Sequence, residues 1–242
     1  MGKRQLEVYN TALKKSPSLA YKIRKGIPAS KAESPQMNAF LNATRQISNT
    51  PSSYDVRGNN VSPKVKKIVS DIKRNYKKDP NYKGITYSNY LGSGISSIDN
   101  QLKNSKIPYR TFSGETSKKD RTKIIKDYNQ GKVRHLLLSG AGSEGLDLKG
   151  TKFVQITEPH WNTARIKQTI GRAARLNSHA HLPENERNVR VKKYISTTPE
   201  PSKFRKFLGA KRKRSTDEYL YQIADKKQKL NNQFLQALKE SS

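Results

Sequence analysis

From residue 61 to residue 197, short apolar runs alternate with amphipathic stretches, and that alternation leaves few folds open. Gly84-Ile85-Thr86-Tyr87 is β-branched and aromatic, and Tyr109 to Phe112 is a second strand. Val133 to Leu138, Phe153 to Thr157 and Val189 to Ile195 read as three buried strands. Helical patterns separate these runs. Ser62-Pro63 is a helix start, a capping hydroxyl followed by proline in the first turn. Val65, Ile68, Val69 and Ile72 form its apolar stripe, and Asp79-Pro80 stops it. Ile95, Ile98 and Leu102 mark the next helix. Ser117 and Asp120 form a capping box for the helix carrying Ile124, Ile125 and Tyr128, and a further helix runs from about Thr163 to Leu176. Strands alternating with helices predict an α/β domain, a parallel sheet with helices on both faces.

The flanks read differently. Residues 1–60 form a polar, helical extension, with Leu6, Tyr9 and Leu13 at helical spacing and Pro17, Pro28, Pro35 and Pro51 dividing it. Asn49-Thr50-Pro51-Ser52-Ser53 is expected to be a linker and Gly58-Asn59-Asn60 a turn. Residues 198–242 hold a basic loop, 198–214, and a last helix starting near Ser215-Thr216-Asp217-Glu218 with acids at its positive end. Leu220, Ile223, Leu230, Phe234 and Leu238 stripe that helix.

Lys and Arg number 49 against 19 Asp and Glu, a net charge of +30. Such a surplus repels itself in a compact chain and calls for a polyanion, of which nucleic acid is the default. The absence of cysteine excludes disulfide scaffolds, cysteine metal sites and thiol catalysis. No apolar run reaches the roughly 18 residues that span a bilayer, and Met1-Gly2-Lys3-Arg4-Gln5 leads into no apolar leader core. The expectation is an intracellular protein with no membrane partner.

Three segments carry chemistry. Leu138-Ser139-Gly140-Ala141-Gly142-Ser143-Glu144-Gly145-Leu146-Asp147-Leu148 follows a buried strand, where ligands gather in open α/β sheets, and its glycines let backbone approach an anion. Glu144 and Asp147 can also be read as an acid/base pair, but no histidine or metal-ligand cluster accompanies them. In Gln168-Thr169-Ile170-Gly171-Arg172-Ala173-Ala174-Arg175, the spacing puts Gln168, Arg172 and Arg175 on one helix face, suited to a phosphate chain. Glu158-Pro159-His160-Trp161-Asn162 holds the one tryptophan, a packing anchor or a base-stacking platform.

In this order the segments resemble the second RecA-like lobe of superfamily 2 helicases, and most of all the Swi/Snf-type branch. Tyr87-Ser88-Asn89 is similar to that branch's motif IV, and Ser113-Gly114-Glu115-Thr116-Ser117 with Asp120-Arg121 is similar to its Gly-x-Thr/Ser…Asp-Arg segment. Arg45-Gln46-Ile47-Ser48-Asn49 resembles the segment leading into the lobe. Glu158 stands where the branch has Asp, and Thr163 where it has Pro. The run Gly171 to His179, with His181-Leu182-Pro183, looks more like the helicase-like nucleoside triphosphatases of large DNA viruses and phages.

The resemblance implies a RecA-like lobe with a helical N-terminal extension and a C-terminal brace helix. It implies that Arg172 and Arg175 act as arginine fingers on the γ-phosphate of ATP, with Gln168 positioning the first. Gly145, Asp147 and Gly171 would face the nucleotide and the partner lobe. Ser88, Ser113 and Ser139 would touch the nucleic-acid backbone, joined by Lys211, Arg212, Lys213 and Arg214 of the basic loop. Those four residues also permit a nuclear import signal, and a solvated or DNA-facing loop is the favoured reading. No Gly-x-x-x-x-Gly-Lys-Ser/Thr and no Asp-Glu-x-His box occurs. The chain is therefore expected to be half of a motor, a split product or a fragment, inactive alone. ATP and Mg²⁺ would bind only with a complementary first lobe, and double-stranded DNA is the expected track. The rival is a binding module that kept the fold and lost the motor.

Overall fold

The computed structural model describes residues 1–52, 54–55, 61–140, 146–160, 163–173, 178–180 and 182–240. Its centre is a five-stranded, all-parallel sheet: β1 (Gly84–Ser88), β2 (Tyr109–Phe112), β3 (His135–Ser139), β4 (Phe153–Ile156) and β5 (Arg190–Lys193), in the order β2-β3-β1-β4-β5. Four of these strands fall where the apolar runs predict them. The fifth corrects the reading of Val189 to Ile195 as buried: β5 is an edge strand whose side chains are mostly exposed. An edge has one neighbour, so only part of its alternation meets a core.

Helices cover both faces because side chains alternate along each strand. Ile85, Tyr87, Leu136, Leu138, Val154 and Ile156 point to one face, under α6 (Lys118–Asn129) and α7 (Thr163–Ala173). Leu137 points to the other, under α4 (Pro63–Lys78) and α5 (Ser97–Leu102). Ser62 Oγ accepts the Val65 N–H at 3.1 Å and Pro63 opens α4, so the expected cap is present. Ser117 caps α6 in the same way, its Oγ accepting the Asp120 N–H at 3.1 Å.

A polar row crosses the second face beneath α4. The Gln155 amide nitrogen donates to the carbonyl of Ile68 at 3.2 Å, so its Oε1 is the acceptor for Thr86 Oγ1 at 2.7 Å. With its proton so used, Thr86 Oγ1 accepts from His135 Nε2 at 2.9 Å, leaving Nδ1 to accept from the Tyr82 hydroxyl at 2.8 Å. Burial depresses the His135 imidazole to a pKa of about 3, so it is neutral at physiological pH. Gln155 Nε2 also donates to the Tyr194 hydroxyl, which donates to Asp71 on α4 at 2.8 Å. Asp71 further receives Arg74 at 2.6 Å and Lys192 of β5, which ties the exposed edge strand to α4.

The N-terminal extension forms α1 (Lys3–Lys14), α2 (Pro17–Lys25) and α3 (Ser34–Asn49), which pack on one another through Tyr9, Leu13, Ala20 and Ile47. Leu19, Ile23, Met37 and Leu41 continue that core onto Tyr219 and Leu220 of α9 (Thr216–Glu240). The apolar stripe on α9 is thus used only in its first turns. Leu230, Phe234 and Leu238, in the second half of the predicted stripe, are exposed. Nor is the start of the expected linker free: Asn49 ends α3, and Asn49, Thr50 and Pro51 are buried, while Ser53 and residues 58–60 lie outside the described residues. The basic loop contains one short helix, α8 (Lys203–Phe207).

Candidate functional site at the carboxyl edge of the sheet

Parallel pairing brings the strand ends to one edge. Ser88 lies opposite Ser139, and Phe112 opposite Leu138, which places Ser113 beside Ser139. Tyr87 pairs with Ile156, and the Thr157 N–H donates to the Tyr87 carbonyl at 3.0 Å, which places Thr157 beside Ser88. Four hydroxyl residues, Ser113, Ser139, Ser88 and Thr157, therefore form a row across β2, β3, β1 and β4.

All four are buried, at 7% exposure or less, and their surroundings differ. After β2 the chain doubles back, Thr116 Oγ1 accepting the Ser113 N–H at 3.0 Å and Ser113 Oγ accepting the Glu115 N–H at 3.3 Å. Arg121 holds that turn by donating to the Thr116 carbonyl at 2.9 Å and the Ser113 carbonyl at 3.1 Å, while its guanidinium lies over the Phe112 ring. Ser88 lies beneath the surface. The π-helical turn Leu91–Ser96 passes directly over it: a Cβ on Gly94 would come within 1.9 Å of Ser88 Oγ, so only glycine allows that approach. A phosphate reaches the Ser88 hydroxyl only if this turn lifts.

Ser88 instead serves Glu158, the buried carboxylate that follows β4. Glu158 accepts from Ser88 Oγ at 3.0 Å, from the Asn89 backbone N–H at 2.5 Å and from Asn49 Nδ2 at 2.9 Å. Asn49 Oδ1 in turn accepts from Lys64 Nζ at 3.0 Å, and Lys64 donates to Asp217 at 2.6 Å. Asp217, in the first turn of α9, also takes the Ser196 N–H at 2.9 Å. Beside this chain Arg45 donates to the Pro159 carbonyl at 2.8 Å and lies over the Tyr90 ring. Two buried carboxylates, Glu158 and Asp217, are thus balanced by two buried cations, Arg45 and Lys64. Balanced and hydrogen-bonded charges are the condition under which burial is tolerated. This network joins α3, α4, the ends of β1 and β4, the exit of β5 and the start of α9.

No sequence pattern marks Lys64 or Asp217, one more lysine in a lysine-rich chain and one more acid at a helix start. Asn49 and Arg45 belong to the segment singled out above, and Glu158 to the one before Trp161.

Gln168 and Gly171 are exposed on α7, which rests on the sheet through Ile166 and Ile170. Arg172 is four residues beyond Gln168 in the last turn of the same helix, hence on its face; its side chain, together with Arg175, Gly145, Glu144, Trp161 and Asn162, lies outside the described residues. Asp147 is exposed, and its carbonyl accepts from Asn129 Nδ2 at 3.1 Å, while Asn129 Oδ1 accepts the Lys149 N–H at 2.9 Å. In the basic loop, Lys211 and Lys213 are exposed, whereas Arg212 pairs with Glu218 and lies 3.3 Å from Glu200. Among the described residues no three His, Cys, Asp or Glu side chains converge as a metal site, and no helix is long and apolar enough to cross a membrane.

Residues 64–177 match the family model described as the helicase conserved C-terminal domain. The matched segment, residues 64–177, is a helicase C-terminal domain. An Acanthamoeba polyphaga mimivirus protein named as an ATP-dependent RNA helicase is 39% identical over 209 residues, 86% of this chain and 43% of its own length. Nucleoside triphosphatase I of Choristoneura biennis entomopoxvirus is 33% identical over 155 residues, 62% of this chain and 22% of its own. The chain thus spans less than half the length of these relatives. The chain has the fold of the Sulfolobus solfataricus SWI2/SNF2 ATPase core, solved in complex with dsDNA: TM-score 0.61 at 20% identity, covering 93% of this chain and 45% of that one.

Proposed function

We propose that this helicase C-terminal domain is the second motor lobe of a nucleic-acid-dependent ATPase of the Swi/Snf-like and viral nucleoside triphosphatase type, completed by a first lobe. The observations that support the reading are the hydroxyl row at the carboxyl ends of the strands and the exposed Gln168 face of α7, the helix that follows β4. Gly171 leaves that face open toward the described residues, none of which a side chain there would meet within 4 Å. A phosphate chain brought by another lobe fits such a surface.

In this reading Arg172 and Arg175 offset the charge that develops on the transferring phosphoryl group, and Gln168 fixes the first of them. Gly145, Asp147 and Gly171 face the nucleotide and the partner lobe. Mg²⁺ and the attacking water belong to the first lobe, because this chain has no P-loop. Ser113 and Ser139 meet the backbone of duplex DNA, and Ser88 supports Asn89 and Glu158 from beneath. Lys211 and Lys213 add unpaired charge. The Glu158–Asn49–Lys64–Asp217 network makes the lobe, the segment leading into it and the brace helix move as one piece.

The test is reconstitution. Mixed with a first lobe from the mimivirus relative, the chain should restore ATP turnover that rises on adding duplex DNA, while neither part alone turns over. Duplex binding without any turnover in the mixture would instead favour the binding module.

A further inference from the structure

The basic loop carries the largest exposed aromatic surface of the described residues, and the motor reading does not use it. Phe204, Phe207 and Leu208 are 71%, 87% and 65% exposed. Phe204 and Phe207 stand at i and i+3 on α8, and Leu208 follows at its C-cap, so the three lie to one side. The tip they form is built rather than frayed. Ser202 Oγ accepts the Arg205 N–H at 3.4 Å at the start of α8. Its end closes on Gly209, at φ +80°, whose N–H donates to the Lys206 carbonyl at 2.9 Å, and the Ala210 N–H donates to the Arg205 carbonyl at 2.9 Å.

The base of the loop is fastened too. Thr198 Oγ1 donates to the Lys213 carbonyl, Ser215 Oγ donates to the Ser196 carbonyl at 2.6 Å, and Arg212 pairs with Glu218. Around the apolar face, Lys203, Arg205, Lys211 and Lys213 are exposed, and Glu200 is the loop's sole acid. Between the loop and α1 and α2 runs a cleft of about 380 Å³, whose charged lining is six basic residues, Arg24, Arg205 and residues 211–214, against the one acid Glu200.

Aromatic rings held out from a fixed base beside a concave basic groove match the chemistry of an unpaired nucleic-acid strand. The rings offer faces on which bases stack, and the groove follows the phosphates. A duplex buries its base faces and would leave the rings in water. An anionic membrane would suit the charge, but it is flat, and it would leave the concave cleft empty.

We infer that Phe204 and Phe207 form a stacking platform for single-stranded DNA or RNA, with the Arg24–Lys211–Lys213 cleft taking its backbone. This rests on the motor-lobe reading and deepens it: beside a duplex track, the lobe holds a displaced or incoming single strand. The experiment is a titration of a fluorescein-labelled oligothymidylate and a labelled duplex with the full chain, comparing wild type with Phe204→Ala/Phe207→Ala and Phe204→Tyr/Phe207→Tyr.

Each stacked base contributes enough that losing one ring costs about five-fold or more in affinity. The alanine variant should therefore bind oligothymidylate roughly 25-fold or more weakly, with its salt slope and duplex affinity kept, and the tyrosine variant should bind like wild type. Equal oligothymidylate affinity in wild type and the alanine variant overturns the platform and leaves the motor lobe standing. Wild type that binds neither oligonucleotide overturns the motor-lobe reading itself. Binding to phosphatidylcholine–phosphatidylserine vesicles that the alanine change abolishes, with oligothymidylate binding unchanged, overturns the platform in favour of a membrane-touching tip.

Discussion

Replacing Lys64 by Met tests whether the buried polar network holds the lobe and its flanks together. Lys64 Nζ lies 2.6 Å from Asp217 and 3.0 Å from Asn49 Oδ1, and the Lys64 and Asp217 side chains are 3% and 0% exposed. Methionine keeps the length and apolar stem and removes the charge and three donors. Asp217 is then a buried carboxylate served by the Ser196 N–H, and Asn49 Oδ1 loses its donor. Breaking a buried pair in this one-sided way costs about 3–5 kcal/mol. Against a total of roughly 5–15 kcal/mol that is a large share. At ~2–4 °C per kcal/mol for a chain of this size, Tm should fall by about 6–20 °C. Asp217→Asn alone leaves the ammonium stranded and should cost a similar amount. The double variant Lys64→Met/Asp217→Asn removes both charges and should recover about 2 kcal/mol relative to the sum of the singles. Urea and thermal unfolding followed by circular dichroism give all three values. A Lys64→Met loss under ~1 kcal/mol, or a double variant equal to the sum, would mean that the network does not hold the lobe and its flanks together.

Other outcomes follow from the same physics. His135 has a folded pKa near 3 against about 6.5 unfolded, so only the unfolded chain takes up its proton in that window. Its contribution is complete above pH 6.5 and is lost as pH falls toward 3, at about 1.4 kcal/mol per unit; His135→Gln should remove that part of the slope, and identical slopes between pH 7 and 5 would reject the buried neutral imidazole. Replacing Lys211 and Lys213 with Ala should weaken duplex binding and flatten the log–log salt slope by up to about 0.9 per lost phosphate contact. An Arg212→Ala change should flatten it little, because Arg212 is already paired with Glu218; titrations at several salt concentrations separate the two.

The parallel sheet was legible because strand and helix periods differ and both are strong between residues 61 and 197. Capping chemistry fixed the starts of α4 and α6 at Ser62 and Ser117. What escaped depends on position in space rather than on pattern. Val191 alternates like a core residue, yet it lies on the last strand of the sheet and is 37% exposed. Pro51 and Ser52 suggest a linker by composition, while Asn49 beside them is held by a carboxylate 109 residues away. Leu230 and Phe234 continue a helical stripe past Tyr219 and Leu220, where it is buried, and are themselves exposed. Motif order located Ser88 at the end of its strand, but not the glycine-permitted turn that covers it.

Turnover by a reconstituted two-lobe enzyme decides whether Arg172 and Arg175 act on the transferring phosphoryl group. With Arg172→Ala or Arg175→Ala, kcat should fall at least ~100-fold, a modest share of the roughly 10³–10⁵ that arginine fingers supply. The duplex dissociation constant, measured on the same preparations by anisotropy, should stay close to wild type. If these variants keep kcat and lose duplex affinity, the arginines contact the nucleic-acid backbone, and the lobe is not supplying charge to phosphoryl transfer.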